Sequence, residues 1–406
     1  MGILDFRKAR GTYIPALALV AIGVVLVYSS TALMSTKEFA TSFHYLRSHL
    51  VTIFIGLAAM FILSQVNYLR LRPLSMSLLI FALILLGLVF MPGIGLSANG
   101  ARRWIKLWPT TFQPSEFVKL ALVIFLADYM AKNSHRMRDF RYGIMIPLGI
   151  MLLFQGVIII QPDFGAVMSL GILTMGMIFL GGARLKHIGA CVLCSLPVIA
   201  ILLVSKPYRW RRVTAFLDPW EDQLGSGFQL VQSFIAFGRG SIFGVGIGGS
   251  KQKLFFLPEV HTDFIFSLIG EELGLIGVLV VVGLFLWLFI KGVGIARKAS
   301  DTFSYYLAFG LTMMIGCQAL INFAVTTGLM PTKGLPLPFI SYGGSAQLIN
   351  MAAMGILISI AKRNEEEKFE EFHRPIFVAG EFKERPANRR FRGGRVTTQA
   401  DKSVGA

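Results

Sequence analysis

Apolar runs of about twenty residues recur along most of this 406-residue chain and constrain its fold more than any other feature. A run of that length crosses a membrane as one α-helix, because a helix satisfies its backbone hydrogen bonds within a single segment. The mean hydropathy of +0.66 and the 54% share of hydrophobic residues exceed what a soluble core requires. We therefore predict an all-α polytopic membrane protein with ten transmembrane helices and one large extracytoplasmic loop. The predicted spans are 13–35, 46–64, 74–92, 115–131, 142–160, 164–181, 188–204, 264–290, 302–327 and 341–361.

The distribution of charge orients these spans and limits the classes of partner. The first run follows FRKAR and is longer than the apolar region of a signal peptide, so we predict an uncleaved anchor. With a cytoplasmic N-terminus, the short inner segments hold 14 Lys and Arg residues and the short outer segments hold 6. This asymmetry predicts a multi-pass protein of the cytoplasmic (inner) membrane with both termini in the cytoplasm. The net charge of +17 lies mostly in the membrane portion, which favours anionic membrane lipids as partners and not nucleic acid.

The spans define a membrane domain, residues 1–361, followed by a tail, residues 362–406. The largest segment between spans is the predicted outer loop 205–263, where we expect function to concentrate. Its stretch GFQLVQSFIAFGRG carries apolar residues at helical spacing and predicts a short amphipathic helix. The tail has an acidic start, a basic end and no apolar period, so we predict that it is a disordered cytoplasmic segment.

An acidic residue at the start of the eighth span is the first candidate for chemistry. In LFFLPEVHTDFIFSLIGEELGLI, Asp263, Glu271 and Glu272 enter an apolar helix, where an ionised group costs roughly 2.5–3.5 kcal/mol on insertion scales. Such carboxylates usually face a cavity, so Asp263 is the predicted functional acid. Burial would raise its pKa and a nearby cation would lower it, and the sequence leaves both open. Glu271 is the second candidate, because eight residues place it on about the same helix face.

A second predicted outer loop, residues 93–114, combines positive charge with an aromatic side chain. Arg102 and Arg103 stand beside Trp104, which suits contact with a diphosphate group at the membrane surface. An interfacial anchor is an equally good interpretation, because Trp and Arg populate membrane surfaces in general.

Further charges lie next to or inside the spans. Glu116 and Lys119 share one helix face in QPSEFVKLALVIF, and their place at the start of an apolar span favours a buried ion pair lining a polar cavity over a solvated surface pair. Lys251 and Lys253 are weaker candidates for diphosphate contact. The connection GLMPTKGLPLPFISYGGSAQL contains three prolines, and irregular backbone at membrane depth needs protein or a water-filled cavity around it, so we expect it to border the cavity of Asp263.

Two other motifs do not support a different chemistry. The stretch GRGSIFGVGIGGSK is rich in glycine but matches neither a Walker loop nor a dinucleotide fingerprint. Cys191 and Cys194 form a CxxC inside an apolar span without a second ligand pair, so we interpret them as small apolar helix residues. The sequence requires no cofactor and predicts no resident metal site, although a divalent cation such as Mg or Mn could assist a diphosphate reaction.

Six ordered stretches resemble the SEDS family of cell-wall glycosyltransferases, the group that contains RodA and FtsW. They are GARRWIKL, FQPSEFVKLALVIFLADYM, QPDFGAVM, GFQLVQSFIAFGRGSIFGVGIG, FLPEVHTDFIFSLIGEELGLIG and GLPLPFISYGGS. Within the family, PTKG, IGEELG and LVQSFIAFG are similar to the division branch that FtsW represents. The resemblance implies an inverting peptidoglycan glycosyltransferase of the SEDS fold that polymerises lipid II on the outer face of the membrane for septal wall synthesis.

The resemblance also implies roles for particular residues and partners. Asp263 matches the family's essential acid and is the expected base. Substrate contacts are expected from Arg102, Arg103, Trp104, Glu116, Lys119, Lys251, Lys253, His261, Ser341, Gly343 and Ser345. The expected partners are lipid II, a class B penicillin-binding protein of the FtsI type with transpeptidase activity, and other division proteins at the septum.

Three other functions compete with this one. Ten spans, intramembrane charges and a basic outer cavity would also suit a lipid II flippase, but the chain shows no inverted hydropathy repeat and Asp263 is predicted at one end only. An elongation polymerase of the RodA type would catalyse the same polymerisation of lipid II at a different location in the cell. A non-catalytic division scaffold would act through its tail, and removal of residues 362–406 separates it from an enzyme.

Overall fold

The computed structural model describes residues 10–39, 41–98, 101–107, 110–205, 207–253, 257, 259–373, 376–378 and 381–383. These residues form twelve α-helices and five short strands, joined by turns, 3₁₀ turns at Tyr68–Arg70 and Ser134–Arg136, and a π-helical turn at Arg141–Met145. The helices are α1 Arg10–Phe39, α2 His44–Gln65, α3 Leu71–Leu88, α4 Pro114–Lys132, α5 Ile146–Ile160, α6 Phe164–Leu180, α7 Leu185–Val204, α8 Pro207–Leu217, α9 Phe228–Gly240, α10 Ile265–Arg297, α11 Thr302–Thr326 and α12 Gly344–His373.

Ten of these helices, all except α8 and α9, lie where the spans were predicted, which confirms the helical membrane fold. Eight helical segments among the described residues are long and apolar enough to cross a membrane. Helix α6 has 17 residues and falls short in length. Helix α4 contains four ionisable residues, but nearly all of its side chains are buried against neighbours that include α3 and α11. Protein therefore surrounds Glu116, Lys119 and Asp128, as expected for ionisable groups inside a membrane, whereas Lys132 in the last turn of α4 is exposed.

The segment between α3 and α4 is a small antiparallel sheet, which the interpretation of residues 93–114 as a loop did not anticipate. Its strands are β1 Gly95–Ala98, β2 Ala101–Leu107 and β3 Thr110–Phe112, in the order β1-β2-β3. Side chains on β2 alternate, because Ala101 and Ile105 are buried while Arg102 and Lys106 are exposed. Strands this short between strong helical signals leave little trace in hydropathy.

The large segment predicted as an outer loop contains two helices. Helix α9 confirms the predicted amphipathic helix, and Leu230, Val231 and Ala236 on its apolar face are buried. Helix α8 was not predicted, since its stretch PYRWRRVTAFL is dominated by basic residues rather than by an apolar period.

Helix α10 is broken at Gly274, where the backbone turns to a φ of 65°. The segment after α9 fills this break: Val245 N–H donates to the Glu271 carbonyl at 3.0 Å, and Leu275 N–H donates to the Ser241 carbonyl at 2.9 Å. A Cβ on Gly274 would lie 2.4 Å from the Gly244 nitrogen and 2.4 Å from the Ile242 carbonyl oxygen. Only glycine therefore permits this backbone approach.

The chain divides into two compact units, residues 1–364 and 365–406. In the second unit, α12 continues to His373, and β4 Ile376–Val378 pairs antiparallel with β5 Glu381–Lys383. These elements lie within the segment that was predicted to be disordered. Residues 384–406 lie outside the described residues, and their disorder stays a prediction.

Candidate active site

Asp263 lies in a tight turn immediately before α10, at the end of the bundle that we call the Asp263 end. Its N–H donates to the Glu259 carbonyl at 3.1 Å, as does the Thr262 N–H at 3.2 Å. The side chain of Asp263 keeps partial exposure to solvent. Its carboxylate faces Gly334, where an added Cβ would lie 2.7 Å from Oδ2. Gly334 therefore leaves the space that the carboxylate occupies, next to the loop that begins with PTKG.

Charged groups from three segments act on the Asp263 carboxylate. The pKa of this carboxyl is raised from 3.8 to about 7: burial has the largest effect, Glu259 and Asp163 also raise the pKa, and Arg212 lowers it. The sequence alone left open whether burial or a nearby cation dominates the pKa of Asp263. In the structure the effect of burial exceeds that of Arg212. A carboxylate with a pKa near 7 is matched to the work of a general base at neutral pH.

Lys333 provides a cation in the loop that Asp263 faces. Its Nζ lies 5.2 Å from the centroid of the Phe164 ring. Burial lowers the pKa of Lys333 from 10.5 to about 8, and the carboxylate of Asp163 opposes this shift. Lys333 therefore stays mainly protonated at neutral pH, although it is held among largely buried groups.

Asp163 links the two groups, because it acts on the pKa of both Asp263 and Lys333. It caps the N-terminus of α6 by accepting from the Ala166 N–H at 3.1 Å, and its other carboxylate oxygen accepts from Gln113 Nε2 at 3.0 Å. Because Gln113 directly follows strand β3, this hydrogen bond connects the small sheet to the start of α6.

Arg212 reaches the site from α8. Its Nη1 donates to the Thr332 carbonyl at 3.4 Å, one residue before Lys333. Two basic groups and three carboxylates therefore converge at the Asp263 end: Arg212, Lys333, Asp163, Glu259 and Asp263.

The sequence reasoning identified only one of these five groups as a site residue. Asp163 and Lys333 lie in the family-like stretches QPDFGAVM and PTKG, and Arg212 lies in the predicted outer loop, but none of the three was predicted as a site residue. Each belongs to a different connection between helices, so only the fold shows that they meet. The usable signal was a charged residue in a connection between apolar spans in each stretch.

The two arginines of strand β2 differ in their surroundings. Arg103 donates from Nε to the Gln161 carbonyl at 3.3 Å and from Nη2 to the Pro162 carbonyl. Its charge therefore stabilises the carbonyl end of α5 and the turn that carries Asp163. Arg102 is exposed, and Trp104 pairs with Leu96 across the sheet.

Glu116 and Lys119 form the predicted buried ion pair. Lys119 Nζ lies 2.8 Å from Glu116 Oε1, and each side chain is only 5% exposed. Lys119 also donates to Gln318 Oε1 at 3.0 Å. The pair lies inside the wall of the bundle, so in this structure neither group is open to a substrate.

Lys253 is also committed to protein contacts. It pairs with Glu272 at 3.2 Å and donates to the Gly248 carbonyl at 2.7 Å. Only the backbone of Lys251 takes part in this region, where its N–H donates to Glu271 Oε1 at 3.1 Å, and its side chain is exposed. The prediction that both lysines contact a diphosphate is thus not supported for Lys253.

Glu271 does not offer the alternative base that helical spacing suggested. It is fully buried, pairs with Arg239 at 2.8 Å, and accepts a hydrogen bond from the Ser250 hydroxyl. The Glu271 carboxylate is therefore committed to contacts within the protein.

The remaining predicted site residues mainly support the turn. Ser341 Oγ donates to the Thr262 carbonyl at 2.6 Å, and the His261 carbonyl accepts from the Tyr342 N–H at 2.9 Å. Ser345 Oγ accepts from the Gln113 N–H at 2.7 Å, and Gly343 packs near Pro336.

The described residues contain no group of three or more His, Cys, Asp or Glu side chains arranged to hold a metal ion. Carboxylate oxygens such as those of Asp163, Glu259 and Asp263 are the ligand type that divalent cations prefer. Assistance by Mg or Mn stays a prediction.

The chain belongs to the FtsW/RodA/SpoVE family of cell cycle proteins, whose family model matches residues 10–366. It is 43% identical over 348 residues to the probable peptidoglycan glycosyltransferase FtsW of Geobacter metallireducens, covering 86% of this chain and 93% of that protein. It is 41% identical over 346 residues to the stage V sporulation protein E of Bacillus subtilis, covering 85% of this chain and 94% of that protein.

Solved structures of related proteins share the fold. One comes from work on structural coordination of polymerization and crosslinking by a peptidoglycan synthase complex, with a TM-score of 0.71 and 29% identity. That match covers 87% of this chain and 98% of the other. The Rod shape determining protein RodA of Thermus thermophilus has a TM-score of 0.64 and 27% identity, covering 87% of this chain and 96% of its own. The chain is therefore an integral membrane protein of this family.

Proposed function

We propose that this protein is a peptidoglycan glycosyltransferase that polymerises lipid II into glycan strands. The observation that carries the proposal is the convergence of Asp263, with its pKa raised to about 7, with the cations Lys333 and Arg212 at one end of the bundle. Glycosyl transfer from a diphosphate needs one base for the acceptor hydroxyl and positive charge for the leaving group.

The proposed reaction is a single displacement with inversion. Asp263 accepts the proton of the GlcNAc 4-hydroxyl of one lipid II molecule, and that oxygen forms a bond to the anomeric carbon of the MurNAc of the growing chain. The bond from this carbon to the diphosphate oxygen breaks, and undecaprenyl diphosphate leaves with the electron pair. Lys333 and Arg212 stabilise the negative charge on the departing diphosphate.

The side of the membrane on which the reaction takes place is inferred from the basic residues of the short loops. The positive-inside rule supports a topology with the Asp263 end on the outer face of the cytoplasmic membrane and both termini in the cytoplasm. Similarity to FtsW proteins supports a role in septal wall synthesis with an FtsI-type class B penicillin-binding protein and other division proteins. A solved relative comes from a peptidoglycan synthase complex, which supports a transpeptidase partner of this kind.

Two alternative functions are a flippase and an elongation polymerase, and they differ in what they require of the protein. A flippase for lipid II would have to expose its acids to both sides of the membrane, whereas the five groups described above lie at one end. An elongation polymerase of the RodA type would carry out the same chemistry with a different partner and location.

The test is incubation of the purified protein with labelled lipid II, with and without a cognate transpeptidase. A ladder of glycan polymer on a gel is the expected result. Transfer of labelled lipid II across a liposome membrane with no polymer would favour the flippase instead.

A further inference from the structure

One buried amide connects the two segments that carry the candidate catalytic groups. Asn322 lies on α11 and is almost fully buried. Its Nδ2 donates one hydrogen bond to the carbonyl of Asp263 and another to the carbonyl of Leu335, both at 2.8 Å. Asp263 belongs to the turn before α10, and Leu335 lies two residues after Lys333. A single side chain therefore ties the base to the loop of the cation.

The chemistry of the partners fixes the orientation of this amide. Both partners are carbonyl oxygens, which accept and cannot donate, so the nitrogen of Asn322 must face them. Asn322 Oδ1 is buried and has no hydrogen-bond partner among the described residues. The side chain thus uses both of its hydrogens on the two segments.

A second amide on α11 repeats this arrangement one turn earlier. Gln318 Nε2 donates to the Pro336 carbonyl at 2.9 Å, while its Oε1 accepts from Lys119 at 3.0 Å. Because Lys119 is paired with Glu116, the buried ion pair orients Gln318 with its nitrogen toward the loop. The two amides of α11 hold the consecutive carbonyls of Leu335 and Pro336.

Resting on the glycosyltransferase function proposed above, we propose that Asn322 is a positioning residue that sets the distance between the Asp263 turn and the Lys333 loop. Its burial and its two committed hydrogens exclude direct contact with substrate. Neither carbonyl belongs to α11, so its hydrogen bonds do not serve its own helix. Loss of Asn322 should let the base and the cation shift relative to each other, which slows the reaction without weakening substrate binding.

The test compares Asn322→Leu with Asn350→Leu in lipid II polymerisation. Asn350 is also a buried amide, but it donates to the Ala346 carbonyl within its own helix at 2.8 Å, so it controls for loss of a buried amide in general. Asn322→Leu should lower kcat by about tenfold or more and leave KM within about twofold, since displacement of reacting groups by 1 Å is sufficient for losses of this size. Asn350→Leu should leave both constants within about twofold.

Each other outcome has a definite meaning. Reduced thermal stability with unchanged kcat would overturn the positioning role, as would a raised KM with unchanged kcat. If Asn322→Leu does not fold, Asn322→Ser keeps one donor and should show a partial loss of kcat. Failure of both variants to fold beside a folded Asn350→Leu would also overturn the role. Wild-type protein that makes no polymer would instead overturn the proposed function on which this inference rests.

Discussion

At the scale of single residues, the environment of Asp263 decides what that group can do. The sequence placed an acid at the start of a span, but its pKa depends on neighbours from several other connections. Burial makes the neutral acid more stable, and the cation Arg212 only partly opposes this effect. The resulting value of about 7 lets the group accept a proton near neutral pH without being protonated permanently.

The two shifted groups predict a bell-shaped dependence of kcat/KM on pH. Asp263 must be deprotonated to act as a base, so the rate should rise as the pH increases through about 7. Lys333 must be protonated to stabilise the leaving diphosphate, so the rate should fall as the pH increases beyond about 8. Initial rates of lipid II polymerisation between pH 5 and 10 measure both limbs.

Substitution of Lys333 tests whether this residue causes the fall in kcat/KM at alkaline pH. Lys333→Arg keeps a positive charge throughout this pH range, because the guanidinium does not deprotonate there. The variant should lose the decline above pH about 8 while the rise through about 7 stays in place. An alkaline limb that is unchanged in Lys333→Arg would assign that limb to another group.

At the scale of elements, apolar periodicity located the ten long helices but missed the segments that shape the site. Hydropathy reports burial in lipid or protein, and helix α8 and strand β2 are short and rich in Arg. The break in α10 was also invisible, because GEELG continues an otherwise helical apolar pattern. A helix break depends on backbone from another segment that fills it, which one stretch of sequence does not encode.

The break in α10 predicts unequal effects of two glycine substitutions in the same helix. Gly274→Ala places a Cβ against the Gly244 nitrogen at a φ of 65°, so the free energy of unfolding should fall by about 1–3 kcal/mol. Gly283→Ala meets open space and should leave this free energy unchanged or raise it by up to about 1 kcal/mol. Thermal unfolding of both purified variants in one detergent compares them. Equal stability of the two would contradict the account of the break.

At the scale of the whole molecule, the ten helices and the family could be inferred from sequence, whereas the meeting of Asp163, Lys333, Arg212 and Asp263 could not. Runs of apolar residues and six ordered motifs are local signals, and each can be found without knowledge of the others. The site is built from connections that are far apart in the chain. Which residues form the site therefore depends on which connections between helices lie at the same end of the bundle.

The distribution of basic residues predicts the orientation of the molecule. In a variant without Cys191, Cys194 and Cys317, a cysteine at exposed Trp220 should react with an impermeant thiol reagent in intact cells. A cysteine at Glu366 should react only after the cells are permeabilised. Labelling of position 366 and not 220 in intact cells would reverse the topology and place the site on the cytoplasmic side.

The most direct test of the central claim is lipid II polymerisation by Asp263→Asn. The amide keeps the size of the side chain but cannot accept the proton at neutral pH, so the rate should fall by roughly 10²-fold or more. The control is Glu259→Gln, which removes an exposed carboxylate of the same turn that raises the pKa of Asp263 but leaves the proposed base in place, so it should retain most activity and shift the acidic limb of the pH profile to lower pH. Both variants should match the wild type in membrane insertion and thermal stability. Near wild-type turnover by folded Asp263→Asn would contradict the assignment of Asp263 as the base.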